Sequence, residues 1–383
     1  MPSAKSENPV PRRHINLALQ GGGSHGAFTW GVLDILLQDE RIQFDGITGA
    51  SAGAVNAVAL AHGFAIAAQK GNEAVNPREA ARACLSKVWH GVEAMGSMGA
   101  LAENVGKMLM GGWPSDQAGV NFFDNAFTQS LNSSFSQSFS QSLNSSVTQW
   151  MSPYQSNPLD INPLRQLLQA EIDFEALARL QSPKVFVSAT HVTTGQAEIF
   201  SGKRLSIQAV MASTCLPTVF KAVEIGGESY WDGGFSSNPA LLPLIDQCSS
   251  CDIIVVQINP LRRASAPHAS HDIMDRINEL TFNASLLSQM RTIDFINRML
   301  ADGRLAEGTK YKHMRLHRID GGEALENLPA SSKMSADSAM IQKLFEMGQA
   351  AAKRWLRRHF DDLGQQGTVD IRHDYIGRLA PDF

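Results

Sequence analysis

Three short stretches of this chain carry residue types and spacings suited to cleaving an ester. Gly49-Ala50-Ser51-Ala52-Gly53 holds one serine between two glycines. A serine hydroxyl attacks a carbonyl only when a base takes its proton and donors hold the oxyanion that forms. The pentapeptide lies where an apolar run, residues 44–51, meets an apolar stretch of helical character, residues 52–69. On so sharp a strand-to-helix turn the serine is thrust outward, Gly49 and Gly53 let strand and helix close on each other, and the helix N-terminus behind Ala52 favours developing negative charge. The same five residues would also suit a turn that only packs a helix on a strand.

Upstream, Gly21-Gly22-Gly23-Ser24-His25-Gly26 follows another apolar run, residues 15–20. The N–H groups of Gly21, Gly22 and Gly23, together with that of Ala52, are candidate oxyanion donors, because glycines let an oxygen approach the backbone closely. Losing one such donor costs about 2.7–4 kcal/mol of transition-state stabilisation. Gly21, Gly23 and Gly26 also satisfy G-x-G-x-x-G, the dinucleotide fingerprint, so an oxidoreductase stays open at this point. That fold wants an acidic residue closing its second strand. Asp45 is near the required spacing but stands before the body of the second strand, and Ser51 closes it. The third stretch, Trp231-Asp232-Gly233-Gly234, reads in isolation as a turn at a strand end. A Ser, Asp, His chain order would point to His268, His271, His313 or His317 as base. None of the four has a distinctive loop signature.

The elements that must position these residues follow from periodicity. Residues 184–192, 196–202 and 252–259 read as further buried strands, and 162–172 as a helix between them. Strands alternating with helices predict an α/β fold with a mostly parallel sheet covered on both faces. Residues 92–157 lose this rhythm and become rich in Gly, Ser, Gln and Asn, which predicts an insertion; Phe127, Leu131, Phe135, Phe139, Leu143 and Val147 recur every fourth position within it, as on a lid helix or a surface helix. Amphipathic helices are expected over 272–300 and 335–360, the second capped by Ser335 and ending in Lys353, Arg354, Arg357 and Arg358 around Trp355. That basic end suits the helix dipole or a membrane surface.

Composition narrows the function classes. The chain has 383 residues, 43% of them hydrophobic, and a net charge of −4, so no global basic field draws it to nucleic acid. Residues 1–13 are polar and no long apolar run follows, which makes a cytoplasmic protein with at most peripheral membrane contact the expectation. Four cysteines, Cys84, Cys215, Cys248 and Cys251, are too few for a disulfide scaffold, and the C-x-x-C at 248–251 lacks a second pair for zinc.

Taken together, the glycine loop at 21–26, the G-x-S-x-G at 49–53 and the Asp-Gly-Gly at 232–234 resemble the patatin-like phospholipase family in identity and order. The likeness extends to ASTCLPTVFKAVEIGGESYWDGGFSSNPA, residues 212–240, and covers roughly 15–260. The resemblance implies a three-layer α/β/α sandwich, a Ser51–Asp232 dyad without histidine, oxyanion donors in Gly21, Gly22, Gly23 and Ala52, no metal or cofactor, and a lipid or other fatty acyl ester as substrate. His25, Gly26, Gly49, Gly53, Gly233 and Gly234 become supporting motif positions. His25 departs from the family, which usually has Arg or Lys there. The expected organisation is a tail at 1–13, a catalytic domain at 14–320 with the 92–157 insertion as a candidate lid, and a helical extension at 321–383. Besides the oxidoreductase, a catalytically silent membrane-associated scaffold of the same fold is the other reading. Oligomeric state carries no sequence signal.

Overall fold

The computed structural model describes residues 12–70, 75–109, 152–157, 160, 162–263, 265–308, 311–328, 332–333 and 336–377. Eight strands form one sheet: β1 (Arg13–Leu19), β2 (Ile42–Ala50), β3 (Lys184–His191), β4 (Ala197–Ser201), β5 (Val223–Ile225), β6 (Glu228–Asp232), β7 (Asp252–Gln257) and β8 (Arg315–Asp320). The order is β5-β6-β3-β2-β1-β7-β8, with β4 pairing β3 off this path. Strands β3, β2, β1, β7 and β8 run parallel, whereas β4, β5 and β6 join at one edge by antiparallel pairing.

Alternation along the strands divides the core into two layers. Ile15, Leu17 and Leu19 of β1, Val185 and Val187 of β3, and Ile254 and Val256 of β7 join one cluster. Ala18, Phe186, Ile253 and Val255 join the other. The first cluster is closed by α1 (Gly26–Gln38), α2 (Ala52–Lys70), α3 (Pro77–Leu109) and α9 (Ser338–His359), with α4 (Pro163–Glu171), α5 (Phe174–Arg179) and α6 (Ile207–Ser213) completing that side. The second is closed by α7 (Leu242–Gln247) and α8 (Ser270–Ala301). This is the three-layer α/β/α arrangement. Helix α2, apolar on nearly every face, is buried along most of its length because both sheet and neighbouring helices cover it.

Several local expectations shift. Helix α3 runs on through residue 109, so ordered helix continues past position 92, where the loss of strand–helix rhythm predicts an insertion. The four-residue stripe from Phe127 to Val147 lies outside the described residues, as does Ser335. The cap of α9 is Asp337, whose side chain accepts from the Met340 N–H. Trp355 is buried edge-on to His317, with ring centres 5.6 Å apart, so it belongs to the core and not to a membrane face. Asp45 lies within β2, and its Oδ2 accepts from the N–H groups of Ser249 and Ser250 at 2.6 and 2.8 Å. Asp45 thus ties a loop to the sheet, which removes the residue a dinucleotide fold would use for a ribose.

Candidate active site

Strand β3 acts as the ruler of the site. Ala50, the last residue of β2, pairs with Ser188, and the next residue of β3, Ala189, pairs with Asp232 at the end of β6. Ser51, one step beyond Ala50, is thereby set beside Asp232 although 181 positions separate them in the chain. The turn holding Ser51 has φ of 52°, one of two positive values among the described non-glycine residues. A left-handed serine at a strand-to-helix junction is a strained conformation that surrounding structure must enforce. It is enforced by close approach: a Cβ on Gly49 would strike the Gly53 carbonyl, and one on Gly53 would strike the Leu19 carbonyl. The Ser51 N–H donates to Ser213 Oγ at 2.9 Å, fixing the turn to the end of α6.

Asp232 has no exposed surface. Its Oδ1 accepts the Gly234 N–H at 2.7 Å, and its backbone is held by the Cys215 carbonyl and by the Thr190 hydroxyl, 2.8 and 2.7 Å away. Oδ2 makes no hydrogen bond of regular geometry at rest. Burial pushes the carboxyl up to about 7, against the smaller lowering influence of the neighbouring Ser51 hydroxyl and the Gly234 N–H. Gly233 and Gly234 are required by crowding, since a Cβ on them would meet the Ser188 carbonyl and the Phe282 ring respectively.

Above Ser51 opens a cavity of about 130 Å³, walled by Gly23, Ser24, Ala52 and the apolar side chains of Val55, Trp89, Val92, Met95, Leu216 and Phe220. Val92 and Met95 belong to α3. No histidine lines this cavity among the described residues. His317 is instead buried against Asp252 and Thr368 on β8, His313 lies in the loop before β8, His268 is exposed ahead of α8, and His271 falls in that helix's first turn.

The glycine loop is anchored from behind by buried amides that the motif reading missed. Gln20 Oε1 accepts from the N–H groups of Ile258 and Asn259 at 3.0 and 2.9 Å, and Gln20 Nε2 donates to Asn283 Oδ1 at 3.2 Å. Asn259 Nδ2 donates to the Gly21 carbonyl at 2.8 Å. The Gly21 N–H donates to Asn238 Oδ1 at 2.6 Å, which corrects its expected role: that donor is occupied, and the position is glycine because a Cβ would stand 2.6 Å from Ser51 Cβ. Gly22 lies against Ile258, and Gly23, with φ of 56°, opens a short helical turn leading into α1. No acceptor among the described residues takes the N–H of Gly22, Gly23 or Ala52. Gly26 packs on the Ala52 methyl group, locking the loop to α2.

His25 is buried, not solvent-facing. Its Nε2 shares a hydrogen bond of 2.7 Å with the Ser332 hydroxyl, and burial, aided by Lys333, pushes its pKa down to about 3. The ring is therefore neutral.

No metal-binding group of His, Cys, Asp or Glu occurs among the described residues, and all four cysteines are free thiols. No curated protein matches the chain. A solved structure described as VipD from Legionella pneumophila is similar at a TM-score of 0.41 and 16% identity, over 91% of this chain and 67% of that one. The family model for patatin-like phospholipases matches residues 17–245, more than half of the chain, and spans the glycine loop, the serine turn and the Asp-Gly-Gly turn. The chain thus belongs to the patatin-like phospholipase family, whose members hydrolyse fatty acyl esters of lipids.

Proposed function

We propose that this lipid acyl hydrolase is a serine esterase working through a Ser51–Asp232 dyad. The observation that carries the reading is the pairing of Ala50 and Asp232 with adjacent residues of β3, which sets a strained serine beside a fully buried carboxyl under an apolar cavity with no histidine among its described lining residues. Asp232, as carboxylate, takes the Ser51 proton while Oγ attacks the acyl carbon. The N–H groups of Gly23 and Ala52 at the cavity wall, with Gly22 behind them, hold the carbonyl oxygen as it becomes an oxyanion. Collapse of that intermediate expels the alcohol, which leaves with the proton from Asp232. Water then attacks the acyl-enzyme, with Asp232 again as base, and the fatty acid departs. The apolar walls suit an acyl chain and do not select a head group.

A fluorophosphonate probe tests the reading. Labelling and ester hydrolysis are expected to vanish in Ser51→Ala, and hydrolysis to fall by at least about 10³-fold in Asp232→Asn. Labelling that persists in Ser51→Ala overturns the nucleophile, and near-normal turnover in Asp232→Asn overturns the base.

A further inference from the structure

The oxyanion loop carries no charge of its own, because His25, its one ionisable residue, is held neutral by burial. Lys333 is the only residue with an ionisable side chain among the described residues that line the cavity, and its Nζ is buried behind the glycine loop on Asn259. It arrives from the short helical turn ahead of α9, far beyond the stretch matched by the family model. Its seat is built from Asn259 behind the loop and from the loop itself. Nζ donates to Asn259 Oδ1 at 2.7 Å, and the same Asn259 holds the Gly21 carbonyl. The Lys333 carbonyl accepts from Ser24 Oγ at 2.9 Å, and the preceding Ser332 accepts from the same hydroxyl through its carbonyl at 3.0 Å while its side chain meets His25. A Cβ on Gly23 would strike the Lys333 carbonyl, so the loop's left-handed glycine is what lets this segment lie against it.

We propose that Lys333 is the positioning cation of the oxyanion site: residues 332–333 brace the glycine loop through Ser24, His25 and Asn259, and the ammonium supplies the positive charge the loop lacks. The inference rests on the Ser51–Asp232 reading. It gives the neutral His25 a role as well, since His25 meets Ser332, the neighbour of Lys333, and a cation at both places would repel. Lys333 acts without forming a bond to substrate; its field favours the state in which the ester carbonyl oxygen carries negative charge.

The charge is titratable. Burial lowers Lys333 to about 8, opposed by Glu279 and Asp275 of α8 and assisted by Arg263 from the segment after β7, with neutral His25 on the loop side. The protonated form is the active one, so turnover falls as pH rises through about 8.

The test uses the full chain and p-nitrophenyl butyrate, comparing wild type, Lys333→Met, Lys333→Arg and Ser51→Ala across pH, with thermal melts alongside. Lys333→Met is expected to lower kcat roughly 10- to 100-fold with KM changed less than about threefold. Lys333→Arg, which keeps the charge at all pH values used, is expected to retain most of kcat and to carry the alkaline fall up beyond about pH 9. A Lys333→Met kcat within about twofold of wild type, a Lys333→Arg variant as slow as Lys333→Met, or an alkaline fall left in place by Lys333→Arg each overturns the assignment. Should Lys333→Met fail to fold, the pH profile of Lys333→Arg decides. Inert Ser51→Ala beside normal Lys333→Met overturns the lysine alone, whereas activity surviving in Ser51→Ala overturns the serine reading beneath it.

Discussion

At the scale of one residue, the proposed dyad depends on a carboxyl that must ionise inside the protein. Asp232 is raised from the ordinary carboxylate range to about 7 because it is cut off from water, and the Ser51 hydroxyl and Gly234 N–H offset only part of that cost. In the proposed dyad only the carboxylate accepts the serine proton, so kcat/KM is expected to rise with pH through about 7. The same shift has a stability consequence of opposite sense. A folded pKa above the unfolded one means that the native state holds its proton more tightly, so this stabilisation is complete below about pH 4 and is lost as pH rises through about 7. Asp232→Asn keeps an oxygen for the Gly234 N–H and never ionises. Its stability is therefore expected to match wild type near pH 4 and to exceed it progressively up to pH 8, where the difference approaches at most about 4 kcal/mol and its melting temperature is higher accordingly. Thermal melts at four pH values check this, and a gap that stays constant with pH would show that Asp232 is not the buried titrating group.

At the scale of elements, the proposed catalytic geometry depends on how closely the glycine loop and the serine turn approach. Gly21 stands so near Ser51 that an added methyl group would press on the Ser51 Cβ and on the Ala50 carbonyl, 2.6 and 2.7 Å away. Gly21→Ala is expected to cost about 10- to 100-fold in kcat while the melting temperature falls by only a few degrees, since displacement of about 1 Å at a reacting atom costs rate more than stability. Gly226→Ala, in the hairpin between β5 and β6 with nothing within 4 Å, is the control: it carries backbone strain at φ of 64° and leaves kcat unchanged. Unchanged kcat in Gly21→Ala would mean the serine is positioned by α2 alone. These two turns were legible in the sequence because glycine spacing reports close approach, and β1, β2 and β7 were legible as apolar runs. Strand β8 was not, because Arg315-Leu316-His317-Arg318-Ile319-Asp320 places only two apolar side chains among ionisable ones whose burial depends on partners, Asp252 above all, that are distant in sequence. Gln20, Asn238, Asn259 and Asn283 escaped for the same reason: a buried amide looks like a surface amide until the chain closes around it.

Across the whole molecule, the residues matched by the family model do not complete the core. Helix α9 packs on α1 so closely that a Cβ on Gly348 would strike the Phe28 carbonyl, and one on Gly31 would strike the Phe345 carbonyl. Ile341, Leu344, Ala351, Ala352 and Trp355 of α9 are buried in the same cluster as the sheet. Ser332 and Lys333, which hold Ser24 and His25 as a strap on the glycine loop, precede α9 by only a few positions in the chain. We expect packing and site to be coupled through this interface. Gly348→Val forces the two helices apart, and overpacking of this kind costs about 1–3 kcal/mol or more. The melting temperature is expected to fall by several degrees and, because the strap moves with the helix, kcat at 25 °C is expected to fall several-fold even where the protein remains folded. Met340→Ala, which trims a partly buried side chain in the first turn of α9 without touching α1 backbone, is expected to lower the melting temperature with kcat kept. If Gly348→Val lost stability while retaining full turnover, the helix would be a packing element only, and the strap would owe its register to Ser24, His25 and Asn259 rather than to α9.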